Sequence, residues 1–396
     1  MASSHPATYP KVPRVNAELG FSMPSELEPG RNTRGLLRAT TRPLDCPFEQ
    51  QFERRSCAIH DWSAPHAEAP DLLRMGFEAI DLPADPALQD VLARVRRSGE
   101  IDRNQLRQVR RQLTGRVFPL ASGRRLKLLN VAGEGLIVRK GGPNGLKPDP
   151  GQTMEGANGH DVALAIHGDQ DVYGTPLKQI MRGFAPHLFR HQTPDGSNRW
   201  SPLVLVNLWI PLQQVTRPLA LMDRRTLDAT AQQVQYALPT ETFLERDDDM
   251  RYNDIWAFLH DDAQRWHFRA DMTHDQAYVF DTLGEPHGSF SLPGEAVAET
   301  LYLLLQRQRQ QLAAGERAEP GPQALPALPP DTPAPLRSAI DQLLAVAKAV
   351  PAADDAVAIT AWQPQAEAAM DAVVRKSLEM RVVAVLLPGI WPFTRQ

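Results

Sequence analysis

Apolar and polar positions along this chain repeat with two different periods, and the changes of period divide it. Residues 1–55 are rich in Pro, Arg and Glu and sustain no period. They read as an extended arm over a core, or as a partly disordered lead. Ser56–Asp61 (SCAIHD) reads as an edge strand, and Met75–Pro83 (MGFEAIDLP) as a strand closed by proline. Leu88, Val91, Leu92 and Val95 then recur at helical spacing. Ile101, Leu106, Val109 and Leu113 form a looser second helical stripe. The arginines opposite it read as a solvated face, with docking to an acidic partner as the alternative.

Two β-like runs, LKLLNVA and GLIVRK, follow between Arg124 and Arg139. Residues 141–161 are Gly/Pro-rich, with neither a Walker lysine pattern nor GxGxxG, and a loop of that length in a compact chain is usually functional. A lid is expected there. Residues 162–290 are β-rich: Leu203–Leu212, Asp254–His260, Arg265–Ala270 and Ala277–Leu283 are short aromatic and β-branched runs that suit a sandwich or open barrel. The helical period returns over 294–314 through Val297, Leu301, Leu304, Leu305 and Leu312. A linker with seven prolines spans Pro320–Pro335, a second helix carries Ile340, Leu343, Leu344 and Ala347, and a third is expected over Ala366–Val374. MRVVAVLL then reads as a buried strand. The expected architecture is α+β and mainly β. It comprises an N-terminal arm (1–55), a β domain with N-terminal helices (56–290 and 371–396), and a helical, Pro-rich insertion (291–370) before the last core strand.

Composition narrows the functional classes. The chain is 42% hydrophobic and 23% charged, as folded proteins are. With 43 Lys+Arg against 47 Asp+Glu, the net charge is −4. No basic surplus is available to neutralise a phosphate backbone, so no nucleic-acid partner is expected. No apolar run approaches the ~20 residues that span a bilayer, so no membrane partner is expected either. The N-terminal MASSHPATYPKVPRV lacks the apolar segment of a secretory signal. The two cysteines, Cys46 and Cys57, form no CxxC, which points to a reducing cytoplasm. The 35 prolines predict loops and strand edges rather than long helix bundles.

Three motifs carry candidate chemistry. In IHGDQ, His167 and Asp169 sit two apart at a strand end, where both can reach one metal ion. His287, in GEPHGSF, is the candidate third ligand of a two-His-one-carboxylate face, which leaves positions open on iron(II). HxD alone is common by chance. In RKSLEMR, Arg375, Ser377, Glu379 and Arg381 share one strand face. That face is either a solvated edge or a carboxylate site built from an arginine fork and a serine hydroxyl. In VNLWIPL, Asn207 and Trp209 share a face, where pocket lining competes with core packing. The pair His60–Asp61 suits an all-helical phosphohydrolase fold, which this region is not. His160 is a minor rival ligand, and His187, His191, His260, His267 and His274 lack paired spacing. Without a GxSxG elbow or a cysteine in a triad context, nucleophilic hydrolysis is not expected.

Taken in order, AIHDWSAPHAEAPDLLRMGFEAID, IHGDQ, VNLWIPL with RPLALMDRRTL, QRWHFRADMTHDQAYVFDTLGEPHGSF and RKSLEMRVVAV resemble the AsaB/CmcJ-like hydroxylase/desaturase family of bacterial and fungal secondary metabolism. The resemblance runs from Ile59 to Val385 without the helical stretch. It implies a double-stranded β-helix (jelly-roll, cupin-like) core, Fe(II), 2-oxoglutarate and O2, and hydroxylation or desaturation of a small-molecule substrate. It places the metal ligands on His167, Asp169 and His287. It puts the anchor for the distal carboxylate of 2-oxoglutarate on Arg375 and Ser377, with Arg381 as second choice, and the lining of the co-substrate pocket on Asn207 and Trp209.

The chain also departs from that family. Its NvWRP arginine is Ile210 here, its WyYfp block reads Trp266, His267, Phe268, and residues 292–374 separate His287 from Arg375 where the family has a short gap. That stretch could serve as a lid, a homodimer arm or a partner surface. Two other readings stay open: a cupin-like metal enzyme without 2-oxoglutarate, and a non-catalytic accessory protein working through 291–370.

Overall fold

A computed structural model shows how these patterns fold. It describes residues 14–388 apart from 44–45, 65–66, 133–135, 149–150, 152–156, 240–251, 271 and 324–325. Two large sheets face each other, and each is covered by helices on its outer side. The first has the strand order Arg14–Ser22, Phe52–Asp61, Trp266–Phe268, Leu219–Met222, His287–Ser289, His167–Gly168, Tyr252–Phe258, Gln233–Pro239, Leu37–Arg38. The second runs Phe77–Asp81, Gln276–Asp281, Leu203–Gln213, Arg375–Leu387, Arg125–Val131, Val117–Pro119, with Ile137–Gly141 also paired to Arg375–Leu387.

The period of two sorts each strand between layers. Leu219 and Leu221 turn inward to meet Trp209, Tyr278 and Phe280 of the second sheet, while Ala220 and Met222 turn outward. In the second sheet, Val204, Val206, Leu208 and Ile210 pack outward with Leu378, Met380 and Val382. Their odd-numbered neighbours Asn207, Trp209, Ser377 and Glu379 are thereby turned toward the facing sheet. Both faces of Leu203–Gln213 are covered, so the strand reads as a nearly unbroken apolar run.

Helices Pro86–Ser98 and Arg103–Leu113 cover the second sheet. Leu88, Val91, Leu92 and Val95 are buried on it, and the first helix starts at an Asp85 cap and stops at Gly99 in the left-handed conformation. Helices Glu295–Ala313, Ala334–Lys348 and Ala356–Ala372 pack on one another, and their core is continuous with the outer face of the first sheet. Leu301, Leu305, Leu336, Ile340 and Leu343 are almost fully buried there. Each such side chain stabilises the layer by about 1.5–3 kcal/mol.

Three sequence readings need correction. The stretch read as patternless contains a strand: Arg14–Ser22 alternates exposed and buried residues and pairs antiparallel with Phe52–Asp61 along its whole length. Ser56–Asp61 is therefore not at an edge, because Phe52–Asp61 is held on both sides, by Arg14–Ser22 and by Trp266–Phe268. The last helix begins at Ala356, capped by Asp355, ten residues before the expected start, because Pro364 inside it masked the helical signal. The loop expected as a lid lies partly outside the described residues. On its described flanks, the Asn144 amide donates to Glu295, and His160–Asp161 pairs with Ile137–Gly141.

Candidate metal centre

His167 and His287 stand directly opposite each other on neighbouring antiparallel strands, with their ring centroids 4.4 Å apart. Such cross-strand partners share a face. The approach of the two strands depends on Gly288, where a Cβ would lie 2.8 Å from Ile166 Cδ1. Asp169 lies just past the end of the His167 strand, and one ligand atom from each of His167, Asp169 and His287 falls within 4.8 Å of the others. Among the described residues this group is the one able to hold a metal ion, and His160 is not part of it.

Backbone contacts decide which ring nitrogens are available. His167 Nδ1 lies 2.9 Å from the Ala165 carbonyl and His287 Nδ1 lies 2.9 Å from the Glu285 carbonyl. A carbonyl only accepts, so each Nδ1 carries the proton and each Nε2 keeps its lone pair. Those Nε2 atoms are 3.6 and 3.8 Å from the Asp169 carboxylate oxygens. Asp169 is oriented by the Asn207 amide, and Asn207 in turn accepts from Thr282 Oγ1 at 2.9 Å. Arg381 approaches Asp169 Oδ1 at 3.5 Å. Burial alone would raise the Asp169 carboxyl, but Arg381 and the two histidines hold it well below the usual carboxylate range. Burial and the adjacent His167 push His287 down to about 4, against the pull of Asp169. Two imidazole Nε2 atoms and one carboxylate are a donor set that suits iron(II) with open positions.

Behind this face lies the strand of RKSLEMR. Arg375 is 1% exposed, lines one crevice with His167 and His287, and has its guanidinium 5.1 Å from the centroid of the Trp209 ring. It donates to Ser377 Oγ at 2.9 Å, and its Nε has no partner. Burial, despite nearby Glu379, pushes its pKa down to about 9, so it is a cation at neutral pH. Glu379 shares this crevice. Its carboxylate accepts from Arg139 Nε at 2.8 Å and from Trp209 Nε1 at 3.1 Å, with Arg375 at 3.5 Å. The free space left is about 20 Å³, room for one water. Trp209 is thus both core, stacked on Tyr278, and a donor to this network. Of the residues singled out from sequence, Asn207 and Arg381 adjoin the metal face, and Trp209, Arg375 and Ser377 adjoin the crevice.

The sequence reading passed over Arg139 and left Glu379 without a role. It also passed over Asp171 and Arg34. Asp171 is fully buried two residues after Asp169, and it accepts from Arg34, Gln235 and the Tyr173 amide. The only sequence signal was the alternation that put Glu379 beside Arg375 and Ser377.

With this geometry in view, the chain can be set beside known proteins. Residues 163–294, which include His167, Asp169 and His287, match a family model described as "YDMC: Oxidoreductase/YMDC permease-like domain". No curated protein matches the chain. Among solved structures, it is similar to an iron and alpha-ketoglutarate-dependent endoperoxidase, NvfI. The two share 15% identity over 94% of this chain and 98% of that one, with a TM-score of 0.45. Another NvfI structure, in a different conformation, gives 15% identity, 96% and 100% coverage, and a TM-score of 0.45. No helix among the described residues is long and apolar enough to cross a membrane.

The buried neutral histidines set an acid limit on the metal-free protein. His287 and His267 both sit at about 4, His267 through burial and the nearby His60, against the ordinary 6.5 of an exposed histidine. Between those values the unfolded chain binds more protons, so stability is full above about 6.5 and falls as the pH drops toward 4. Each histidine costs on the order of 3 kcal/mol by the lower end. Urea midpoints at pH 7 and pH 4.5 should differ accordingly. Equal midpoints would show that these rings are hydrated.

Proposed function

We propose that the protein is an Fe(II)- and 2-oxoglutarate-dependent oxygenase, built on a double-stranded β-helix core, that hydroxylates or desaturates a small molecule. The observation that carries this reading is the pair of Nε2 atoms and one carboxylate converging on a point, with each Nδ1 spent on a backbone carbonyl. The match to an oxidoreductase-like family model over the same residues supports it, as does the resemblance to the AsaB/CmcJ-like family.

In this reading His167, Asp169 and His287 hold the iron, which supplies activation of O2 with 2-oxoglutarate as co-reductant. Asn207 keeps Asp169 oriented. Arg375 and Ser377 supply charged and neutral donors to the far carboxylate of the co-substrate. Glu379 Oε1 stays beside Arg375, held by Trp209, so the co-substrate carboxylate takes the unpartnered Arg375 Nε. Leu219, Phe280 and Trp209 line the crevice and exclude water.

Anaerobic titration of the protein with iron(II) and 2-oxoglutarate tests this. A weak visible charge-transfer band saturating at one equivalent is expected. Arg375→Ala should weaken 2-oxoglutarate binding by about 10–100-fold, as loss of a charge-assisted pair does, with iron affinity unchanged. Equal co-substrate affinity in that variant would move the anchor to Arg381.

The narrow crevice and its resident Glu379 favour a second reading, a metal enzyme that uses no 2-oxoglutarate. Iron bound at one equivalent without the band would select it.

A further inference from the structure

Away from the metal centre, a cavity of about 440 Å³ lies at the end of the second sheet. Val204 and Val206 line it from the strand face opposite to Asn207, so it does not share the metal face. Five arginines line it, Arg74, Arg190, Arg199, Arg224 and Arg225, against a single carboxylate, Asp281.

Three of these arginines are matched by acids. Arg224 pairs with Asp281 and Glu285, Arg225 with Asp223 and Glu68, and Arg74 with Glu68. Arg190 and Arg199 have no carboxylate partner among the described residues, and Arg190 donates to the Arg199 carbonyl. Burial first, then Arg124 and Arg224, press the Arg190 pKa down, against a pull from Asp281. Gln233 and His191 are on the wall as well, 2% and 3% exposed, with Gln233 Nε2 and His191 Nδ1 closed off behind it. His191 Nε2 faces the Pro186 carbonyl at 3.2 Å. Leu72, Val204, Val206 and Leu227 supply apolar wall.

We infer that this cavity is a second binding site, for a small organic molecule with a phosphate head and an apolar body. The five arginines sit on three segments, at Arg74, at Arg190 and Arg199, and at Arg224 and Arg225, and a phosphate, with more charge and more acceptor oxygens than a carboxylate, makes fuller use of that many donors. The site stands independently of the metal chemistry proposed above.

Isothermal titration of the whole protein with phenyl phosphate, inorganic phosphate and benzoate tests it. Phenyl phosphate should saturate at one per chain and bind more tightly than either of the others. Arg190→Gln and Arg199→Gln should each weaken it about tenfold, the usual loss for a charge-assisted hydrogen bond. Arg199 is exposed, so its variant keeps the fold. Leu227→Asn should weaken phenyl phosphate but not inorganic phosphate, and His167→Ala should leave all three unchanged. The site is refuted by absence of saturable binding, by unchanged affinity in both arginine variants, or by loss of binding in His167→Ala. Benzoate binding as tightly as phenyl phosphate would overturn the phosphate assignment.

Discussion

Iron(II) affinity is expected to fall by at least about 100-fold when His167 or Asp169 is replaced by alanine, because loss of a ligand exceeds the 10–100-fold typical of losing its supporting contacts. The ligands are not interchangeable with neighbours. Among the described residues no fourth His, Cys, Asp or Glu joins the group, so nothing nearby substitutes for the one removed. Asn207→Leu should fall between wild type and the ligand variants. It leaves all three donors in place but frees Asp169 and strands the Thr282 hydroxyl. Equilibrium dialysis with iron(II) under nitrogen, on refolding-competent variants, gives the ranking. A His167→Ala protein that retained one iron with native affinity would remove His167 from the ligand set.

The second large effect is on stability and comes from a residue far from the ligands in sequence. Arg34→Ala should cost about 3–5 kcal/mol, the range for breaking a buried ion pair by removing one partner. Asp171 is 0% exposed, and Arg34 is its only cationic partner among the described residues. Arg34 also binds Asp195 at 2.7 Å and lies over the Tyr173 ring at 4.4 Å. Without it, a charge stays buried two residues from Asp169, so the loop that presents the metal carboxylate loosens as well. Replacing both partners, Arg34→Met with Asp171→Leu, should recover much of the stability, since the cost lies in the unpaired charge. Urea unfolding of the three proteins decides this. A loss below about 1 kcal/mol in Arg34→Ala would mean that water reaches Asp171.

What was legible in the sequence was whatever depends on local period. Leu88 to Val95 announced a helix, and Leu203–Leu212 announced a strand. HxD announced a two-residue spacing that a strand end turns into one face. What depends on register was not legible. Glu379 meets Trp209 and Ile137 across two strand pairings, and only those pairings bring Arg139 to its carboxylate. Arg34 and Asp171 meet across 137 residues of chain, a separation at which no periodicity speaks. The arginine-lined cavity gathers side chains from several segments, each unremarkable alone.

Each metal-facing imidazole leans on the carbonyl two residues before it, just ahead of its own strand. The supports are peptide groups, present whatever side chains surround them. No substitution elsewhere in the protein deletes them as long as the strands stay paired. The donor properties of the centre are therefore insulated from the walls around it. Phe280 and Leu219 can be exchanged for residues of other shape while the two nitrogens keep their lone pairs. For the proposed enzyme this means that the lining can change shape without altering the nitrogen donors.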